Sequence, residues 1–240
     1  MSAPILANNQ CNTSIAFSSG VLTLTAGTVP TAGNAMLVIF GVQASNGHVV
    51  SSVTDNQTGN TFTKQFGGYY STYNAGSEYW LCQSLATLTT PATYTVTLTM
   101  SGNPSSSTGA MALLEVAGST GIESNGAISL VSTSPNDPTC TAANTVATDL
   151  VITSITGPSG FSGFTSSGTC STQVCGLTGG NPGLCIYQGA TSSIVTPAQA
   201  FTYSNSASSA AGIIAFKGLI TYPAPPRKVR RQIFTTYYPA

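Results

Sequence analysis

Thr93-Tyr94-Thr95-Val96-Thr97-Leu98-Thr99-Met100 is the stretch whose reading decides the fold class. Tyr94, Val96, Leu98 and Met100 alternate with four threonines. A period of two sends the two sets to opposite faces of an extended chain, which makes this a strand with one dry face and one wet one. The β-branched threonines favour the same conformation. Upstream, Ala35 to Val42 is apolar throughout, between Gly-rich flanks. Its length and lack of alternation predict a strand buried on both faces.

Working outward, the same patterns predict strands at Val21–Thr25, His48–Thr54, Thr61–Phe66, Glu78–Leu85, Ala110–Val116, Asp149–Ile155, Ala200–Tyr203 and Ala211–Lys217. Turn clusters separate them: Asp55-Asn56-Gln57-Thr58-Gly59-Asn60, Ser101-Gly102-Asn103-Pro104 and Ser134-Pro135-Asn136-Asp137-Pro138. No window of a dozen residues carries a 3.6-residue apolar repeat. Short strands at this spacing point to an all-β protein, an antiparallel β-sandwich of jelly-roll-like type. No strict internal repeat is visible. The polar, loop-like stretch 118–145 would allow a division into two domains, but a single sandwich over 1–218 is expected because the strands on either side look too few for two. Gly157–Gly183 reads as a long Gly-rich loop, the kind that supplies contact surfaces.

Beyond residue 218 the character changes. Tyr222-Pro223-Ala224-Pro225-Pro226 reads as an extended spacer. The last residues mix cations (Arg227, Lys228, Arg230, Arg231) with apolar and aromatic groups (Ile233, Phe234, Tyr237, Tyr238). Residues 219–240 are therefore expected to be a tail that orders on a partner.

Charge is scarce: 5% of the 240 residues are Asp, Glu, Lys or Arg, against about 25% in ordinary soluble domains. Little repulsion holds copies of such a surface apart, which suits a protein packed against neighbours. Residues 1–226 hold two cations against six acids, hence −4, and the last fourteen residues hold four cations and no acid, hence +4. No apolar run approaches the roughly 18 residues of a membrane-spanning helix, so no membrane insertion is expected. The first residues lack the basic start and apolar stretch of a secretory signal; either a signal has been removed or the protein leaves the cell inside an assembled particle released by lysis, and Met1 favours the second route.

Six cysteines allow three disulfides in fifteen pairings. Cys170, Cys175 and Cys185 fall in one Gly-rich stretch, where a local staple is expected; Cys82 fits equally well as a buried thiol. A zinc site is not expected, since no Cys-x-x-Cys pair occurs and His48 is the only histidine.

The order of motifs is itself informative. Asp55-x-x-x-Gly59-Asn60-Thr61-Phe62 is followed by Glu78-Tyr79-Trp80, then Thr93–Leu98. Leu114-Glu115-Val116-Ala117-Gly118, Ala147-Thr148-Asp149-Leu150-Val151-Ile152 and Ile214-Ala215-Phe216-Lys217 complete the series. Over roughly residues 20–218 this resembles β-sandwich modules of phage virion proteins (decoration, fibre, tail) and of bacterial cell-surface proteins. The resemblance implies structural or adhesive work and brings no catalytic set. The Cys-rich stretch and the basic tail depart from it.

The residues offer little for catalysis. His48 would be the only base for a Ser-His-Asp arrangement, and no Gly-x-Ser-x-Gly elbow occurs. Of the six acids, Asp55, Asp137 and Asp149 sit where Asp bonds its own backbone. Glu115 should point away from the face of Leu114 and Val116, and Glu78 and Glu123 have no readable partner, so the two facing carboxylates of a glycosidase are not expected. The Asp55–Asn60 segment lacks the spacing of a calcium loop and reads as a tight turn. No cofactor is expected. Tyr69, Tyr70, Tyr73 and Trp80 crowd one region and could stack on sugar rings, although Tyr79 or Trp80 as core residues is the favoured reading. The tail's four cations are too few for strong nucleic-acid binding; docking on an acidic or apolar groove of a neighbouring subunit is expected instead. The sequence reading is thus a non-enzymatic virion structural protein. It would form homo-oligomers and contact other virion subunits. The alternative is an extracellular or cell-surface module that binds a host surface glycan.

Overall fold

The computed structural model describes residues 4–43, 46–70, 74–87, 93–104, 108–125, 129–131, 139–141, 149–157, 165–177, 182–191, 196–202 and 209–218. The predicted tail, residues 219–240, lies outside them. All named elements are strands. The first eight are β1 (Ile5–Ala16), β2 (Val21–Thr25), β3 (Ala35–Gln43), β4 (Val50–Asp55), β5 (Thr63–Tyr70), β6 (Ala75–Cys82), β7 (Thr95–Met100) and β8 (Thr108–Ala117). The rest are β9 (Ser119–Asn125), β10 (Ser129–Val131), β11 (Thr139–Thr141), β12 (Leu150–Gly157), β13 (Thr165–Gly168), β14 (Thr172–Leu177), β15 (Gly183–Ala190), β16 (Ala198–Thr202) and β17 (Ser209–Gly218).

The strands form four antiparallel sheets packed as sandwich-like layers. A three-stranded sheet (β2-β7-β4) covers a five-stranded one (β1-β8-β3-β6-β5). A second three-stranded sheet (β11-β16-β13) goes with a six-stranded one, ordered β10-β17-β12-β15-β14, in which β9 also pairs with β17. Three cores lie between the layers. Leu22, Val38, Phe40, Val96, Leu98 and Met111 belong to the first. Leu37, Ile39, Tyr79, Leu114, Ile152, Ile186 and Ile214 fill the middle one, shared by the two large sheets. Val151, Ile155, Tyr187, Phe201 and Ile213 fill the third.

This layering explains the two sequence patterns. β7 covers one side of the stack, so its burial alternates, with Val96, Leu98 and Met100 inward. β3 lies in a middle layer; its even-numbered side chains enter the first core and its odd-numbered ones the shared core, so eight of its nine residues are buried. β6 and β12 are buried along their whole length for the same reason.

The fold repeats itself where the sequence does not. In the first half the chain pairs first with last: β1 with β8, β2 with β7, β3 with β6. The second half does the same, with β9 and β10 on β17, β11 on β16 and β12 on β15. This wrapped pairing is the jelly-roll scheme. It departs from that scheme in that β5 and β14 each join the large sheet beside β6 and β15. Registers match as well: Leu37 lies between Leu81 and Leu114 as Ile152 lies between Gln188 and Ile214. A bulge between Lys64 and Phe66 has its counterpart between Gln173 and Cys175. None of the seven residues Ala35–Gly41 is identical to its counterpart in 150–156. Strand order and inside–outside alternation are repeated; the residues that satisfy them are not.

The two large sheets meet with the halves related by an approximate two-fold: β3 packs on β12, β6 on β17 and β8 on β15. The seam is tight. A Cβ on Gly41 would collide with the Thr156 side chain, and one on Gly212 would lie 2.8 Å from the Tyr79 ring. The Tyr79 hydroxyl hydrogen-bonds Ser154 Oγ across this seam, and Phe66 stacks on Tyr79 with ring centroids 4.2 Å apart.

Three segments differ from expectation. The stretch read as a loop, Gly157–Gly183, contains β13 and β14, and residues 118–145 contain β9, β10 and β11. These strands are short or border strands made of Ser, Thr and Gly, which carry little apolar alternation. β1 went unrecognised because it is a polar border strand, Ile5-Leu6-Ala7-Asn8-Asn9-Gln10-Cys11-Asn12-Thr13-Ser14-Ile15-Ala16, held through its backbone pairing to β8.

Candidate functional site

The chain's few charges are candidates for chemistry, and the structure places most of them. Glu78, in β6, is 1% exposed and faces the first core. Its Oε1 accepts the Val50 N–H at 3.0 Å; its Oε2 accepts the Trp80 indole N–H at 3.1 Å and pairs with Lys64 Nζ at 2.9 Å. Glu115 points away from Leu114 and Val116, as expected, but is also 1% exposed. It accepts the Thr31 N–H at 2.8 Å and the Asn8 and Asn34 side-chain amides. The adjacent cavity, lined by Asn8, Gln10, Met36, Leu113 and Glu115, holds about 10 Å³, room for one water.

Asp55 closes its own turn through the Gln57 N–H at 3.1 Å, as the sequence suggested, and also accepts the Tyr94 hydroxyl at 2.8 Å. Burial and this bond to Asp55 push the Tyr94 phenol well above its ordinary value. Asp149 is fully buried and accepts the N–H of Gly218 at 3.2 Å, tying the start of β12 to the end of β17. Glu123 pairs with Lys217 at 3.1 Å. Every carboxylate among the described residues is thus held by a donor of the chain itself. Asp137 lies outside them.

His48 precedes β4 rather than starting it, and its Nδ1 lies 3.4 Å from Ser101 Oγ. That hydroxyl also accepts the Val49 N–H. No described carboxylate bonds His48, so the Ser-His contact here lacks the third group that orients a catalytic base.

Of the proposed sugar platform, Trp80 is 8% exposed and packs in the first core. It cannot offer a ring face to solvent, and its indole N–H is taken by Glu78. Tyr79 is fully buried. The Tyr69 hydroxyl bonds Asn74 at 3.2 Å. Tyr73 and the Tyr70 side chain lie outside what is described. One of Trp80 and Tyr79 was the expected core residue; both are core, because β6 lies in a middle layer with a core on each face.

The disulfide also differs from the expected local staple. Cys175 pairs with Cys11, 164 residues away, and joins border strand β14 of one large sheet to border strand β1 of the other. Register excludes a Cys175–Cys185 bridge. Gly176 is the residue opposite Cys185, so the two cysteines face opposite sides of their sheet, Cys175 toward the shared core and Cys185 toward the third. Cys170 is buried in the third core as well. Cys82 is a buried free thiol, and desolvation raises its pKa.

The remaining candidate surface is the outer face of the β2-β7-β4 sheet. Pairing places Thr23, Thr97 and Thr54 in one row and Thr25 and Thr95 in the next. The Oγ1 atoms of Thr25 and Thr95 lie 3.0 Å apart. This face holds hydroxyl and methyl groups and no charge. The tail residues Arg227, Lys228, Arg230, Arg231, Ile233, Phe234, Tyr237 and Tyr238 lie outside the described residues. With the described carboxylates already occupied, the described surface offers that tail no open acidic groove.

Comparison with known proteins adds no identity: no family model, no curated protein and no solved structure matches the chain.

Proposed function

We propose that this protein is a non-enzymatic structural subunit of a virion, of decoration, fibre or tail-associated type, assembled through subunit contacts and its C-terminal tail. The observation that carries the reading is the charge arrangement. The described carboxylates are spent on internal hydrogen bonds and two ion pairs, leaving a described surface of Thr, Ser, Asn and Gly with little to repel another copy. Sandwich-like layers joined by a shared core and a disulfide suit a stiff spacer, and a +4 tail without an acidic surface on its own described body suits an external partner. The proposed setting is a homo-oligomeric array in contact with other virion subunits. The glycan-binding alternative loses its strongest stacking residue to the core.

The test is direct. A chain lacking residues 223–240 should fold, judged by its circular dichroism and melting curve, yet fail to join assemblies seen by electron microscopy of the purified full-length protein. A full-length protein that stays monomeric at high concentration and beside co-expressed virion components would refute the reading.

A further inference from the structure

One end of the seam between the large sheets is open. There the start of β1 stands over the face of the second large sheet and leaves a slot of about 340 Å³, lined by Pro4, Ile5, Leu6, Leu150, Gln188 and Ala190 among others. That volume is in the range that admits a ligand or an anchoring side chain. Ile5 is 60% exposed, the most exposed large apolar residue described.

The two-fold repeat shows what is unusual here. Gln188 occupies the register position that Leu81 occupies in the first half. Leu81 is 2% exposed and packs in the shared core. Gln188 puts an amide at that position, and its Oε1 is buried with no hydrogen-bond partner among the described residues. A buried, unmatched acceptor is destabilising, so an apolar slot ending on one calls for an occupant that brings an apolar group and an N–H or O–H donor.

We propose that this slot receives the C-terminal tail of a neighbouring copy, with Phe234, Tyr237 or Tyr238 as the inserted side chain and a tail N–H or hydroxyl donating to Gln188 Oε1. The proposal rests on the assembly reading above and names its acceptor surface. The slot lining contains no charged residue, and the described surface has no open acidic groove, so the tail's aromatic groups are the fitting contact. The assembly reading selects a neighbour over the tail's own slot. β17 ends at Gly218, held to Asp149 beside Leu150. Its own slot is two strand spacings away, about 10 Å. The anchors come after residues 219–232, fourteen residues that include the Pro-rich stretch 222–226, and a flexible tether of that length spans on the order of 20 Å. A tether of that length reaches a slot on an adjacent copy as well as its own, and crosslinking distinguishes the two.

The experiment uses the full chain with a photo-crosslinking phenylalanine analogue at Tyr237, mixed with an isotope-labelled unmodified copy. Expected are crosslinks from light to heavy chains that map to residues 4–6 or 188–190. Ile5→Glu and Gln188→Leu should each weaken assembly at least tenfold by sedimentation while leaving the melting curve intact or, for Gln188→Leu, raised. Neither should weaken it further once residues 223–240 are removed. If tail deletion abolishes assembly but both slot variants assemble as the parent does, the slot is wrong and the tail reading stands. Crosslinks within one chain, or to other sites only, also overturn the slot between copies. If tail deletion leaves assembly unchanged, both readings fall.

Discussion

The carboxylate of Glu78 offers the sharpest test of the core's construction. It is 1% exposed and satisfies the Val50 N–H, the Trp80 indole N–H and Lys64. Glu78→Ala removes the acceptor from two buried donors. Hydrogen bonds to a charged group are worth about 1.5–3 kcal/mol each. The Lys64 side chain is 33% exposed, so its share is discounted for solvent screening. The expected loss is about 3–5 kcal/mol. In Glu78→Gln one oxygen still accepts, but the amide NH₂ must face a donor whichever way it is turned, so about 2 kcal/mol should be lost despite unchanged shape. Glu123→Gln, at the more exposed pair with Lys217, should cost under about 1 kcal/mol. The assay is urea unfolding followed by Trp80 fluorescence. Trp80 is the only tryptophan and sits beside the substitution, so its signal reports on the first sandwich directly. A Glu78→Gln protein within 0.5 kcal/mol of the parent would refute the claim that three donors converge on this carboxylate.

Other consequences are equally measurable. Replacing Cys11 with Ser opens a link across 164 residues and should lower stability by about 2–5 kcal/mol, read as a lower melting temperature that a reducing agent reproduces in the parent and not in the variant. Tyr94 stays protonated in the folded state at pH values where an unfolded tyrosine ionises, so its contribution is complete below about pH 10. It is lost as pH rises above that at up to about 1.4 kcal/mol per pH unit; Tyr94→Phe should flatten this alkaline slope in urea titrations. Gly212→Ala pushes a methyl into the Tyr79 ring and should cost about 1–3 kcal/mol, unless Tyr79→Phe, which removes the hydroxyl from the same contact, restores part of it. Cys82 should resist alkylation in the native protein and react on unfolding, as mass spectrometry of the labelled peptides would show.

Strand content, the single-faced strand at Thr93–Met100 and the doubly buried strand at Ala35–Val42 are legible in the residues alone, because burial imposes its period directly on the side chains. So are the scarcity of charge, the turn around Asp55 and the changed composition after residue 218. Only the tertiary structure decided the rest. Polar border strands such as β1 and β14 are held by backbone pairing and one disulfide, and backbone hydrogen bonds leave no mark on residue choice. The role of Trp80 turned on which layer β6 occupies. The repeated fold stayed hidden because many residue sets satisfy the same alternation and register. Val50 lies 28 residues from Glu78, Asn8 107 from Glu115 and Gly218 69 from Asp149, and no local pattern can announce a donor that only packing brings near.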